Sequence, residues 1–339
     1  MNMKIAIIVP YANITYSGGL LVQGRMWKDG LERLGCMVDL VSPWGKYDWE
    51  SYDYILFLGL GKLLWDYLYL FKSCKHPIII SAPVIDYPGS MLSFKLRARF
   101  LGSSKLRIFK LLHDYYCCKD MFSFFLVRSE YEKKFLTEGM KIDERKVFVV
   151  PISLRFANEV PEVDFAIKEK FCFHASRLGD AGKNVPKLID AAKKYGFSLV
   201  LAGTLNGEKQ RFWLENLIDG AENIHYVGYL SDEQLFAYYR RCRAFALPSL
   251  IEGVGMVALE AAVYGAEIVL TDLGAPKEYY GGRAFLVNPN DVDSIGQGIV
   301  KALNEGRSQP ELRKFVLDNY NLMRCTGLLY NILKDRCNG

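Results

Sequence analysis

Histidine is scarce in this chain, four among 339 residues, and its eight cysteines form no CxxC spacing. Apart from the adjacent Cys117 and Cys118 they stand far apart, at 36, 74, 172, 242, 325 and 337. A structural zinc site needs Cys and His at close, fixed spacing, and a disulfide framework needs a dense set in a short secreted domain, so both are excluded. The expectation is reduced, mostly buried thiols in a cytoplasmic protein. Long apolar runs are missing as well. The longest, Tyr54 to Phe71, is broken by Lys62 and Asp66, short of the ~20 residues a spanning helix needs. The opening MNMKIAIIVP has too short an apolar run for a signal peptide and no small-residue cleavage site. No internal repeat and no low-complexity segment appears. The charge excess is small, 43 Lys and Arg against 38 Asp and Glu. A balance of +5 does not mark a nucleic-acid binder, so where the charges sit matters more than their sum.

What remains is ordinary globular material: half the residues are apolar and 24% are charged, with aromatics raised to 14%. At ~150 residues per domain the length predicts two domains with a tail. The pattern agrees. Lys4–Val9 is a continuous apolar run, as in a strand buried on both faces of a parallel sheet. A helix from Leu20 to Leu34 follows, closed by Gly35, then a strand over Met37–Ser42. Apolar runs at Tyr54–Leu58, Ile78–Ser81, Phe124–Val127 and Val147–Val150 continue the alternation. Residues 151–168, with two prolines and several charges, read as a linker. Strands are then expected at Phe171–Ala175, Phe197–Ala202, Ile224–Val227, Ala244–Leu247 and Glu267–Leu270. Helices are expected at Val185–Tyr195, Asp232–Arg241, Met256–Tyr264, Asp293–Asn304 and Glu311–Leu333. The fold class is therefore α/β, two tandem Rossmann-like, doubly wound parallel-sheet domains. Ligands of such sheets bind beyond the carboxyl ends of the strands, in tandem domains at a shared central cleft.

Two loops at such ends carry chemistry. Pro248-Ser-Leu-Ile-Glu252-Gly-Val-Gly255-Met-Val-Ala-Leu-Glu260 joins a strand end, two glycines and the start of an apolar helix. The glycines admit a ligand close to the backbone, and the helix N-terminus offers unpaired N–H groups to an anion. Glu252 can accept hydrogen bonds from sugar hydroxyls. Glu260 lies about five residues into that helix, ~7 Å along its axis, the step from a diphosphate to the ribose of one nucleotide. The alternative is a helix Glu paired with a basic neighbour. In Ala175-Ser-Arg177-Leu-Gly-Asp-Ala-Gly-Lys183-Asn184, two cations six apart suit a pyrophosphate leaving group. Their alternative is a solvated basic loop.

Arg177 and Lys183 followed by Glu252-x7-Glu260, with Pro248-Ser before and EAAVYGAEIV after, resemble the retaining nucleotide-sugar glycosyltransferases of family 4 (group 1), which have the GT-B fold. The resemblance runs through Leu201-Ala-Gly203, Tyr226-Val-Gly228-Tyr-Leu230 and Gly274-Ala-Pro276 to Leu286-Val-Asn-Pro-Asn-Asp291, and is weaker in the first half, at Ser17-Gly18-Gly19 and Arg128-Ser129-Glu130. It implies that Glu252 contacts the donor sugar, that the amides of Gly253, Val254, Gly255 and Met256 hold it, and that Glu260 binds the ribose. Arg177 and Lys183 would stabilise the departing diphosphate, and Gly18 and Gly19 would close over the phosphates. Gly203 lies in the donor region, with Tyr229 and Leu230 near the base. It further implies no cofactor and no metal, since the cations and the helix N-terminus stabilise the charge. The nucleotide diphosphate sugar is a co-substrate, the acceptor a glycan or lipid-linked glycan, and the pathway cell-surface polysaccharide or glycolipid synthesis. The expected domains are 1–155 on the acceptor side, 156–315 for the donor, and a helix in 316–339 packing back on the first.

One departure stands out. Family members commonly carry His after the strand corresponding to Ile78–Ser81; here the loop reads Ala82-Pro-Val-Ile-Asp86-Tyr-Pro-Gly89. Either Asp86 takes over orientation of the donor sugar or acceptor hydroxyl, or the nucleotide phosphate alone is the base. A further reading makes Asp86 an acceptor for turn amides.

The net charge also conceals a local patch. Between Met91 and Leu112 stand Lys95, Arg97, Arg99, Lys105, Arg107 and Lys110, interleaved with Leu, Phe and Ile and with no acidic residue. This describes an interfacial helix on an anionic membrane, interrupted near Gly102, at the inner face of the membrane. The rivals are a solvated helix with one apolar face and an RNA-binding strip; nucleic acid is not an expected partner. Two other functions fit parts of the sequence: a non-catalytic nucleotide-sugar or carbohydrate binder, and an NAD-dependent oxidoreductase. The latter rests on Gly59-Leu-Gly61 alone, which lacks a third glycine and a following acidic residue.

Overall fold

The computed structural model describes residues 3–9, 19–60, 64–102, 110–155, 162–306 and 308–337. The chain divides into two compact units, Met1–Arg155 with Tyr320–Gly339, and Phe156–Asn319. Each is built on a six-stranded sheet whose strands all pair in parallel.

In the first unit the strands are β1 (Lys4–Ile8), β2 (Met37–Leu40), β3 (Tyr54–Leu58), β4 (Ile78–Ala82), β5 (Phe124–Val127) and β6 (Val147–Val149), in the order β2-β1-β3-β4-β5-β6. The central strands are buried throughout, as runs such as YILFL and FFLV require when both faces are covered. The connecting helices are α1 (Gly19–Arg33), α2 (Leu64–Ser73), α3 (Met91–Phe100), α4 (Leu111–Cys118) and α5 (Glu130–Lys134), which continues to Gly139 as a π-helix. One face of the sheet packs on Trp27, Leu31 and Leu329, the other on an aromatic cluster of Phe94, Tyr115, Phe122 and Phe135.

In the second unit the strands are β7 (Glu169–Arg177), β8 (Leu199–Thr204), β9 (Ile224–Tyr226), β10 (Cys242–Leu247), β11 (Glu267–Thr271) and β12 (Phe285–Val287), in the order β12-β11-β10-β7-β8-β9. Its helices are α6 (Val185–Tyr195), α7 (Gly207–Ile218), α8 (Asp232–Arg241), α9 (Met256–Val263), α10 (Val292–Glu305) and α11 (Glu311–Tyr320). Strand order reverses between β7 and β10, which makes their carboxyl ends the topological switch point of this sheet.

Two expectations need correction, and two elements were not expected. Residues 151–154 are no linker: Ile152 and Leu154 are buried, and the Leu154 amide donates to the Tyr320 carbonyl. The helix expected over Glu311–Leu333 is two, α11 and α12 (Leu322–Cys337), because the chain breaks at Asn321, whose side chain accepts from the Arg324 amide. β12 and α7 had no prediction: the first has three residues, and the second, GEKQRFWLENLI, buries only Leu214 and has no strong apolar stripe. Helix α12 belongs to the first unit. Gly30 of α1 faces Thr326 so closely that a Cβ there would lie 2.4 Å from its methyl, and the Tyr54 hydroxyl donates to the Leu333 carbonyl at 2.6 Å. Among the described residues no helix is long and apolar enough to cross a membrane.

Candidate functional site

Two ion pairs, Arg177–Asp180 and Lys183–Glu252, stand at the switch point of the second unit. Past the end of β7 the chain makes a short turn, in which Asp180 accepts from the Gly182 amide and pairs with Arg177 at 3.1 Å. A single helical turn, Ala181–Lys183, then ends at Asn184, which takes the left-handed conformation with φ 59°. From that position the buried Asn184 amide donates to the carbonyls of Pro248 and Pro289, at 3.0 and 2.7 Å. The loops after β7, β10 and β12 are thereby tied together. The Gly182 carbonyl adds to the tie by accepting from the amides of Leu250 and Ile251. Asn is the side-chain-bearing residue best suited to this backbone state, and its place beside Lys183 was the available sequence signal.

This scaffold brings Lys183 and Glu252 into contact. Their side chains, 19% and 11% exposed, form an ion pair at 2.9 Å, and the same Glu252 oxygen accepts from the Ser249 hydroxyl at 3.1 Å. Glu252 is followed by buried Gly253, Val254 and Gly255, then Met256, the first residue of α9. Gly255 caps that helix with φ 69°, a conformation that costs a residue with a Cβ roughly 1–2 kcal/mol. No side chain caps the start of α9. Glu260 lies one turn in, 2% exposed. Lys183 and Glu252 are therefore held together, while Arg177 is not part of that pair: its side chain is 78% exposed and bound to Asp180.

Beneath Lys183 lies a histidine that the sequence did not single out. His174, fully buried on β7, has Nδ1 2.8 Å from the Ala246 carbonyl of β10 and Nε2 2.7 Å from the Ser176 hydroxyl. Facing a carbonyl, Nδ1 must donate, so Nε2 accepts from Ser176. Burial, aided by the positive field of Lys183, lowers the imidazole pKa to about 4 and keeps it neutral. Gly203 has a packing reason of its own. It is the last residue but one of β8, with φ 142°, and a Cβ there would lie 1.7 Å from the Ser176 carbonyl oxygen. Its amide donates to the Gly228 carbonyl, before Tyr229, 71% exposed, and the half-buried Leu230.

In the first unit, Asp86 in the loop after β4 receives the Arg128 guanidinium at 2.9 Å. Arg128 also binds Glu132, which is fully buried and accepts from the amides of Arg128 and Ile85. Asp86 thus forms the exposed end of a Glu–Arg–Asp relay whose other two members are buried, and its hydrogen bond goes to Arg128 rather than to a local turn. Gly19 opens α1 and is exposed, whereas Gly18 lies outside the described residues. Of the basic segment, Lys95, Arg97 and Arg99 lie on α3 and Lys110 precedes α4, while Lys105 and Arg107 lie outside the described residues. Among the described residues no three His, Cys, Asp or Glu side chains cluster so as to hold a metal ion.

Comparison with known proteins bears on the second unit first. Residues 157–316 match the family model described as glycosyl transferases group 1. The O-antigen chain mannosyltransferase B of Escherichia coli is 30% identical over 122 residues, 35% of this chain and 32% of that protein. The N-acetylgalactosamine-N,N'-diacetylbacillosaminyl-diphospho-undecaprenol 4-alpha-N-acetylgalactosaminyltransferase of Campylobacter jejuni is 29% identical over 179 residues, 51% and 48% of the two chains. The chain spans less than two thirds of the length of these curated relatives. Among solved structures, a glycosyltransferase from Rickettsia africae superposes with a TM-score of 0.72 at 16% identity, covering 98% of each chain. The chain accordingly has the GT-B glycosyltransferase fold, and its second unit carries the pattern of the group 1 glycosyl transferases across the switch point at which Lys183 meets Glu252.

Proposed function

We propose that this chain is a retaining glycosyltransferase, moving a hexose from a nucleotide diphosphate sugar to a glycan or lipid-linked acceptor in cell-surface polysaccharide synthesis. The observation that carries the reading is the Lys183–Glu252 pair at the switch point. A buried cation and a buried carboxylate each need a partner, and without ligand they serve one another. A ligand that replaces both contacts must offer negative charge to the ammonium and hydroxyl donors to the carboxylate. A sugar diphosphate offers both in one molecule. In this account Glu252 accepts from hydroxyls of the donor sugar, the amides from Gly253 to Met256 support it, and Glu260 takes the ribose. Lys183 moves to the diphosphate, and Arg177, exposed in its pair with Asp180, joins it.

The transfer needs no covalent intermediate on the protein. The acceptor hydroxyl attacks the anomeric carbon from the face the diphosphate leaves, the glycosidic C–O bond to phosphate breaks, and the hydroxyl proton passes to a phosphate oxygen. Charge grows on the leaving diphosphate, where Arg177, Lys183 and the start of α9 stabilise it without a metal. Asp86, kept in place by Arg128, is the first unit's group for orienting a hydroxyl in place of the family's histidine. The names of the two curated relatives, an O-antigen mannosyltransferase and an undecaprenol-linked N-acetylgalactosaminyltransferase, support surface glycans as the product class. The test is release of nucleoside diphosphate from a panel of uridine, guanosine and adenosine diphosphate sugars, with Glu252→Ala and Lys183→Ala alongside the natural chain. One donor class should turn over and both variants should lose it while still folded; full activity in both variants would end the proposal.

A further inference from the structure

Helix α3 is apolar on two opposite faces. At ~100° per residue, Phe94 and Ala98 point to one side, where both are fully buried and Phe94 packs edge-on against Tyr87 and Phe135. Leu92, Leu96 and Phe100, spaced by four, form a second row on the far side, and they are 67%, 47% and 72% exposed. Lys95 and Arg99 run along one flank of that row. Arg97, stacked over the Tyr87 ring at 5.8 Å, runs along the other. Beyond the helix Leu101 and Leu111 are also exposed, and so is Lys110. No Asp or Glu occurs between Met91 and Leu112.

Single exposed apolar side chains need no explanation, but a row of three large ones beside exposed neighbours does. The core face of α3 is already satisfied by Phe94 and Ala98, so the outer row is surplus to folding. Its rim identifies the occupant. A protein groove would be matched by a rim of both signs, whereas this rim is cationic on both flanks. A bilayer supplies an apolar layer a few Å below a dense sheet of phosphates. Long basic side chains reach that sheet while the row beside them inserts.

We propose that α3 lies in the plane of an anionic bilayer, with Leu92, Leu96 and Phe100 inserted and Lys95, Arg97 and Arg99 at the lipid phosphates. This surface belongs to the first unit and the switch-point loops to the second, and its test does not depend on turnover. The full chain is mixed with phosphatidylcholine vesicles with and without phosphatidylglycerol, and flotation is measured. The natural chain should float with the anionic vesicles only, and less as salt rises from ~0.1 M to ~1 M and the screening length falls from ~10 to ~3 Å. Leu96→Ser with Phe100→Ser, and Lys95→Glu with Arg97→Glu, should each weaken partition by about tenfold or more at an unchanged unfolding temperature. Lys209→Glu with Arg211→Glu, an equal change of net charge on exposed α7, should leave partition as it was. Three results would overturn the proposal: no flotation of the natural chain, equal flotation on neutral vesicles, or equal loss in the α7 control. A dimer that Leu96→Ser with Phe100→Ser dissociates, in a chain that does not float, would give the stripe to a second copy and overturn it too.

Discussion

The two units share an architecture and use it differently. In the second, the strand order turns between β7 and β10, and the loops at that turn are joined by Asn184, the Gly182 carbonyl and the Lys183–Glu252 pair. In the first, the described polar network, Asp86–Arg128–Glu132, lies between β4 and β5 and ties a loop to a buried helix start. One unit holds its paired charges at the topological switch point of its sheet. The other keeps its pair within the packing, with one carboxylate left half-exposed. A parallel sheet provides the same kind of loop at every strand end, and what makes one of them a candidate site is charge that folding alone does not use up.

The largest expected effect breaks this contrast on the functional side. Glu252→Ala and Lys183→Ala should each lower donor turnover by ~10²–10³-fold, read as nucleoside diphosphate released, in a chain that still folds though it is less stable for the charge left unpaired. Loss of fold in both would move the pair into the structural class. Arg128→Ala tests the other side. It leaves the buried Glu132 carboxylate without its cation and should destabilise the first unit by ~3–5 kcal/mol, seen as an earlier denaturant midpoint for probes in that unit. Gly203→Ala follows, at ~1–3 kcal/mol, because the new methyl meets the Ser176 carbonyl. Calorimetry should show the loss in the second unit.

The last effect is a pH dependence, gradual and small within any one pH unit. The pKa of His174 is about 4 in the folded chain, below its ordinary value of ~6.5. The unfolded chain therefore binds this proton first as pH falls. The stability contributed is complete above ~6.5, declines by up to ~1.4 kcal/mol per pH unit below it, and levels near pH 4. His174→Gln should flatten that acid limb in a stability–pH profile, though it lowers stability at neutral pH by removing two buried hydrogen bonds. An unchanged limb would mean that other groups produce it.

Much of this was legible in the sequence because it depends on local pattern. Fully apolar runs such as Tyr54–Leu58 and Phe124–Val127 became central strands, and Val185–Tyr195 ended at Gly196 in the left-handed conformation. Glu252, Gly255 and Lys183 stood out because glycines and charges at a strand end are unusual for a packed loop. The rest depends on contacts distant in sequence. Asn184 reaches Pro289 across 105 positions and His174 reaches Ala246 across 72, and no local pattern records such partners. The Arg128–Asp86 pair spans 42 positions, so Asp86 read as a turn residue in one alternative. β12, three residues long, lacks the length over which a period shows. In α3 two opposite apolar faces blur the period, and only burial tells which of them folding uses.

The central claim is that the switch point of the second unit binds the diphosphate of a nucleotide sugar through Lys183. Titration calorimetry with UDP, GDP and ADP tests it most directly. One nucleotide should bind the natural chain, and Lys183→Ala should weaken that binding by at least ~10-fold, the cost of one charge-assisted contact. Binding of none of the three, or equal binding by Lys183→Ala, would contradict the account.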